Sequence, residues 1–222
     1  MIPGSLAMMA SGSLVPTSSL VAYYALENLN DSFGGYTLTN PNSASFVAGK
    51  VSNGVNCVRA SSHYLDAGDA HDITGAISFV AWIKLSSINA NGWIVGKDSD
   101  TLGRAYAWGV GSDNLIRVQI SGVGSSVSAS TAFTTGTWYF VAATFDDATN
   151  AIKYYLNGAA DGTATNTGVL AATTAPFNIG RRSYVGAEEY FDGVIDEVGV
   201  WSRVLTADEI LTMYNGGSGT TL

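Results

Sequence analysis

The sequence predicts an all-β fold, two antiparallel sheets packed as a sandwich or closed as a barrel, with one short helix near the C-terminus. Three observations predict it. Short apolar segments with period-2 alternation recur between residues 78 and 158, separated by Gly, Asn, Ser and Asp. The composition is rich in Gly, Ser, Thr, Ala, Val and Tyr, and only 13% of residues are charged, which favours strands and tight turns. No helical pattern is interleaved among those segments, so parallel βαβ units are not expected. The 222 residues suit one large all-β domain.

The elements follow in order. Residues 1–19 read as a tail or linker, with no Lys or Arg ahead of the apolar residues and no long apolar core. The domain is expected over residues 20–216, and residues 217–222 as a flexible C-terminal tail. In SFVAWIKL, Phe79, Ala81, Ile83 and Leu85 alternate with Ser78, Val80, Trp82 and Lys84. WIVGKD (93–98), AYAWGVG (105–111) and NLIRVQISG (114–122) follow as strands. TWYFVAATFDD (137–147) and AIKYYLNG (151–158) flank the turn DDATN, a hairpin signal, and Asn157-Gly158 opens a second turn. LTADEILTMYNGG predicts the helix: Thr206 as N-cap with Glu209 three residues on, Ile210, Leu211 and Tyr214 as the apolar stripe, and Asn215-Gly216 as the stop.

Charge and residue counts remove several classes of function. The net charge of −8 disfavours a nucleic-acid partner and suits cations or neutral polar ligands. No run is long enough for a membrane-spanning helix, so membrane insertion is not expected. One cysteine, Cys57, allows neither an internal disulfide nor a thiolate cluster, and its strand-like flanks predict a small buried side chain. His63 and His71 are too few and too isolated for zinc. Arg181-Arg182 could grip a carboxylate, but reads more simply as a solvated loop end.

The stretch FDGVIDEVGVWSRVLTADEI (191–210) holds five carboxylates. Asp208 and Glu209 are accounted for by the helix N-terminus. Strict alternation puts Asp192, Val194, Asp196, Val198 and Val200 on one face, with Phe191, Gly193, Ile195, Glu197, Gly199 and Trp201 on the other. Asp196 and Glu197 then point to opposite sides of the sheet and cannot flank one glycosidic bond. No catalytic residue is predicted. Asp196, among valines, needs a cation, an arginine or backbone N–H donors.

The same stretch resembles the C-terminal signature of concanavalin A-like, laminin-G-like domains, a lectin/glucanase group of jelly rolls that includes the pentraxins. LVAYYALENLNDSFGGYTL, FVAGKVSNGVNCVRASSHYLDAG, ISFVAWIKL, TWYFVAATFDDATNAIKYYLNG and FNIGRRS match that family's segments in chain order. The resemblance implies a two-sheet antiparallel jelly-roll sandwich. It also implies a structural Ca²⁺ held by Asp196 with Asp31 and Glu27 of the turn after the first strand, where the family's usual DSSGN reads DSFGG here. The E-x-D-x-E strand pattern of the related glucanases is absent.

Trp82, Trp138 and Trp201 fall where the family's sheets pack and are assigned to packing. Trp93, Tyr106 and Tyr184, near expected loops or strand ends, are candidates for a sugar-stacking platform, with Asp98, Asp100 and Arg104 to bond hydroxyls. The expected function is a non-catalytic, lectin-like carbohydrate-binding module with a structural calcium site. The alternative is a structural or adhesive protein-interaction domain of a cell-surface or virion protein. The expected partner is a glycan or a surface protein, and the expected location extracellular or surface-associated, virion surfaces included.

Overall fold

The computed structural model describes residues 14–127, 130–183 and 189–222. Its strands in chain order are β1 (Leu20–Tyr24), β2 (Ser45–Ala48), β3 (Asn53–Cys57), β4 (Leu65–Asp66), β5 (Ala76–Leu85), β6 (Gly92–Ser99), β7 (Gly103–Val110) and β8 (Ile116–Ile120). There follow β9 (Val123–Val127), β10 (Trp138–Asp146), β11 (Ala151–Leu156), β12 (Ala159–Thr165), β13 (Asn178–Ile179), β14 (Arg181–Arg182), β15 (Glu189–Tyr190) and β16 (Gly193–Trp201), then helix α1 (Ala207–Tyr214). They form the expected all-β jelly-roll sandwich. The first sheet runs β12-β11-β10-β5-β16-β3-β2, with β1 also on β16. The second runs β14-β15-β6-β7-β8-β9, with β13 joining β6 to β4. Among the described residues, pairing is antiparallel apart from one parallel step, Tyr190 beside Trp93.

Both hairpins read from local turn residues are present. β10 and β11 pair from Val141–Leu156 to Asp146–Ala151 around the DDATN turn, and β11 returns into β12 through Asn157-Gly158. The inner faces of the two sheets share one core, in which Phe79 of the first sheet stacks on Trp108 of the second at 5.4 Å. Cys57 is buried in that core, and burial pushes its thiol up to about 12, as suits a small inert side chain.

A second apolar cluster lies on the outer face of the first sheet. Trp82, Trp201, Tyr23 and Phe140 meet Ile210 and Met213 of α1 and Val15 of the N-terminal segment. Trp82 and Trp201 therefore pack, as expected, but outside the sandwich rather than within it. The segments expected as tails contribute here: the Trp201 indole donates to Pro16 O (2.7 Å), and the Tyr23 hydroxyl donates to Thr220 O (3.0 Å).

α1 has its capping box, with Thr206 accepting from the Glu209 N–H and Glu209 accepting from the Thr206 N–H. Its buried stripe differs from the expected one. Ile210 and Met213 face inward, whereas Leu211 is exposed, because the 3.6-residue period puts i+3 and not i+1 over the sheet. Thr206→Ala is expected to cost about 1 kcal/mol, read as a lower urea midpoint at unchanged slope.

Candidate functional site

The carboxylates of β16 sit where the strand changes partners. One edge of β16 pairs with β3 over residues 193–195 and with β1 over residues 198–201. The register against β5 on the other edge shifts between Asp196 and Gly199. Glu197 lies at φ +51, a left-handed conformation that makes this a β-bulge. The phase of the strand consequently changes. Ile195, Val198 and Val200 enter the inner core, while Trp201 joins the outer cluster. Strict alternation had placed Asp196 and Glu197 on opposite faces; the bulge turns both away from the inner core.

Both carboxylates are buried. Asp196 Oδ2 accepts the N–H groups of Lys50 (2.7 Å) and Val51 (2.9 Å), so the turn between β2 and β3 wraps this side chain. A Cβ on Gly49 of that turn would stand 2.6 Å from Asp196 Oδ2, which is why the turn can close so tightly. Asp196 Oδ1 has no hydrogen-bond partner, and neither has either oxygen of Glu197. Burial raises Asp196 to about 7, against the lowering pull of the Val51 and Lys50 N–H groups and with the Glu27 charge adding to the rise. Burial likewise raises Glu197 to about 8; Tyr23 and Thr221 lower it without reaching hydrogen-bonding geometry, and Asp196 raises it. The Lys50 ammonium lies 4.7 Å above the Trp82 ring.

The three expected calcium ligands do not converge as one set. Glu27 takes the Asn53 N–H (3.1 Å) and side-chain amide (3.0 Å), and so lies at the same turn as Asp196. Asp31 serves its own turn, its Oδ1 accepting from the N–H groups of Tyr23 and Phe33, both at 3.0 Å. Among the described residues, no three Asp, Glu, His or Cys side chains come together to hold a metal. Buried carboxylate oxygens without a hydrogen-bond partner remain on Asp31 (Oδ2), on Asp196 (Oδ1) and on both arms of Glu197.

The candidate sugar residues fall on the second sheet. Trp93 and Tyr106 are only 2% and 1% exposed, so neither offers a face to a sugar. Tyr106 points into the inner core and donates to His71 O (2.7 Å), because it sits mid-strand in β7 and not at a strand end. Trp93 lies beneath the Arg182 guanidinium (4.7 Å), and its indole donates to Glu189 (2.6 Å). Tyr184 lies outside the described residues.

Around Trp93 the outer face of the second sheet carries a polar network that crosses several strands. Arg182 donates to Glu189 Oε2 (2.9 Å) and to Gln119 Oε1. Gly96, Ala107 and Gln119 are in register on β6, β7 and β8, so small residues separate Arg182 from the glutamine. Asp98 is buried between Arg104 (3.5 Å) and Arg182 (3.8 Å), and neither of its oxygens meets a donor at hydrogen-bond geometry. Burial raises its pKa while Arg182 and Arg104 oppose the rise. Arg104 also clasps Asp100 at 2.6 Å, and these two are the partly exposed members of the expected set. Arg182 is thus a carboxylate clamp and not a solvated loop end. Glu189 and Gln119 were not foreseen; no local pattern marks them, since only the β14–β15 pairing and the sheet register bring them to Arg182.

No helix of the described residues is long and apolar enough to cross a membrane. No curated protein matches the sequence. Solved structures match the fold at low identity. Domain 4 of AbnA, an extracellular GH43 arabinanase from Geobacillus stearothermophilus in complex with arabinotriose, superposes with a TM-score of 0.70 at 18% identity, over 87% of this chain and 97% of that one. The binding domain of Paraclostridial Mosquitocidal Protein 1 gives 0.70 at 11% identity, over 90% and 52%. A Trypanosoma rangeli sialidase mutant displaying trans-sialidase activity gives 0.66 at 16%, over 93% and 34%. The chain thus spans about half of the toxin domain's chain and a third of the sialidase. The family model described as the concanavalin A-like lectin/glucanases superfamily matches residues 59–211, and this chain belongs to that family.

Proposed function

We propose that the domain is a non-catalytic carbohydrate-binding module of a secreted or surface-exposed protein. The observation that carries this reading is the asymmetry of the two outer faces. The outer face of the first sheet is apolar and covered by α1 and the terminal segments. The outer face of the second instead holds a polar network of Arg182, Asp98, Arg104, Asp100, Glu189 and Gln119, in which Asp98 and Gln119 are buried and Arg104, Asp100 and Glu189 reach solvent. Fixed, cross-paired polar side chains on a sheet face suit the hydroxyls of a neutral sugar. The likeness to an arabinanase domain solved with arabinotriose supports the reading.

Arg104 and Asp100 make the contacts in this reading, Asp98 holds Arg104 in place, and Trp93 is a buried support. Asp196 and Glu197 share the bulge, but both are buried beside the C-terminal segment, too deep to reach a sugar as acid and base. Calcium, when bound, would take its carboxylate oxygens from the adjacent Asp196 and Glu197 and the rest from water and backbone carbonyls, and would neutralise buried negative charge rather than touch a sugar.

Binding at one such site is expected at a Kd on the order of micromolar to millimolar. Arg104→Ala should lower retention of the wild-type hits on a glycan array at least about tenfold in protein that still folds, with some loss of Tm as Asp98 loses a partner, and EDTA should lower Tm more than it lowers retention. An array without hits, beside tight capture by a surface protein, would favour the adhesive alternative.

A further inference from the structure

Among the described residues, the aromatic side chains that stand exposed are Phe33 and Tyr36, at 47% and 44%. Both sit on the turn closed by the Asn30–Thr37 bridge and the hydrogen bond from Asp31 N–H to Tyr36 O (3.2 Å). The Tyr36 ring stands edge-on to His71, with centroids 4.8 Å apart. His71 is buried; its Nε2 meets the Tyr24 hydroxyl at 2.7 Å, and its Nδ1 has no partner. The next residue, Asp72, and Asp69 both grip the ammonium of Lys97, at 3.2 and 3.0 Å. Lys97 is wholly buried and gives its third donor to Ala175 O (2.8 Å), whereas both carboxylates are about half exposed. A buried cation thus fixes two solvent-facing carboxylates on the segment whose His71 meets the exposed Tyr36 ring.

We propose that this end of the sandwich is a second saccharide site, formed by Tyr36, Asp69 and Asp72 on Lys97, that takes a neutral sugar. It rests on reading the domain as a glycan binder, but is separate from the Arg104 cluster. The Tyr36 ring covers the C–H face of a pyranose or furanose, and Phe33 on the same turn extends the apolar surface. Asp69 and Asp72, held by a charge they cannot lose to solvent, accept hydroxyl protons from adjacent positions on the ring. The ligand class follows from the charges. Two carboxylates at the rim repel sialic, uronic and sulfated sugars, while the ammonium lodged between them disfavours a metal ion.

The test is a titration of ¹⁵N-labelled domain with lactose, methyl α-mannoside, N-acetylglucosamine and 3′-sialyllactose, followed by amide shifts. A neutral sugar should perturb residues 33–37 and 69–73 in a saturable way, and sialyllactose should perturb them at least about fivefold more weakly. Tyr36→Ala should weaken that binding at least about tenfold; Tyr36→Leu, which keeps an apolar side chain against His71, should do the same with Tm unchanged. Shifts confined to residues 98–104 and 117–119 would overturn this site and leave the general reading standing. No shift anywhere with any of the four sugars would overturn this site and count against the general reading. Equal or stronger binding of sialyllactose would overturn the assignment to neutral sugars.

Discussion

Asp196→Ala is expected to lower stability by about 3 kcal/mol at pH 6, whereas Asp196→Asn should cost less than about 1 kcal/mol. The alanine leaves the Lys50 and Val51 N–H groups buried without an acceptor at the turn that closes β2 onto β3. Asparagine can still offer an oxygen to both. The comparison therefore separates loss of an acceptor from loss of a charge. Urea denaturation of the three proteins in EDTA reads it directly. Equal losses for Ala and Asn would mean that the charge itself, and not the two hydrogen bonds, secures the turn.

The second large effect is on the pH dependence. Asp196 and Glu197 rise from ordinary values of 3.8 and 4.5 to about 7 and about 8, burial being the main cause of each. A carboxyl whose native pKa is raised binds its proton more tightly in the folded state. Its contribution is complete below the unfolded value and is lost as pH rises through the folded one. In EDTA the domain should therefore lose stability between about pH 4 and pH 8 relative to an Asp196→Asn, Glu197→Gln double variant. The difference should reach about 2–4 kcal/mol by pH 8. For a domain of this size that is roughly 5–10 °C in Tm. Millimolar calcium should recover most of it at pH 8 and little at pH 5, where the carboxyls keep their protons. A difference curve flat with pH would show that these carboxylates are compensated. A Tm indifferent to calcium at both pH values would remove the cation from the account.

What the sequence made legible was local. The DDATN and Asn157-Gly158 hairpins and the Thr206–Glu209 capping box are written in consecutive residues, and the structure has all three. The faces of β16 were not legible. Period-2 reasoning assumes an unbroken pleat, and one residue at positive φ shifts the phase for everything after it. A glutamate gives no warning of that conformation, since Gly and Asn are its usual occupants. The same limit applies to Trp93 and Tyr106. Alternation separates the two faces of a strand without saying which faces the core, and short flanking turns had suggested exposure where β6 and β7 place both rings under cover. The Asp98–Arg104–Asp100 part of the outer cluster was foreseen because it lies within seven consecutive residues across one hairpin. Glu189 and Gln119 were beyond reach, because they meet Arg182 only through sheet register.

The proposed function has the domain hold carbohydrate without cleaving it. The most direct measurement incubates the full chain with a panel of oligosaccharides, determines binding by calorimetry, and recovers each sugar for mass analysis after prolonged incubation. Saturable binding of at least one neutral oligosaccharide is expected at micromolar to millimolar Kd, with every sugar recovered at its starting mass. Shortened products that vanish in an Asp196→Asn or Glu197→Gln variant would contradict it.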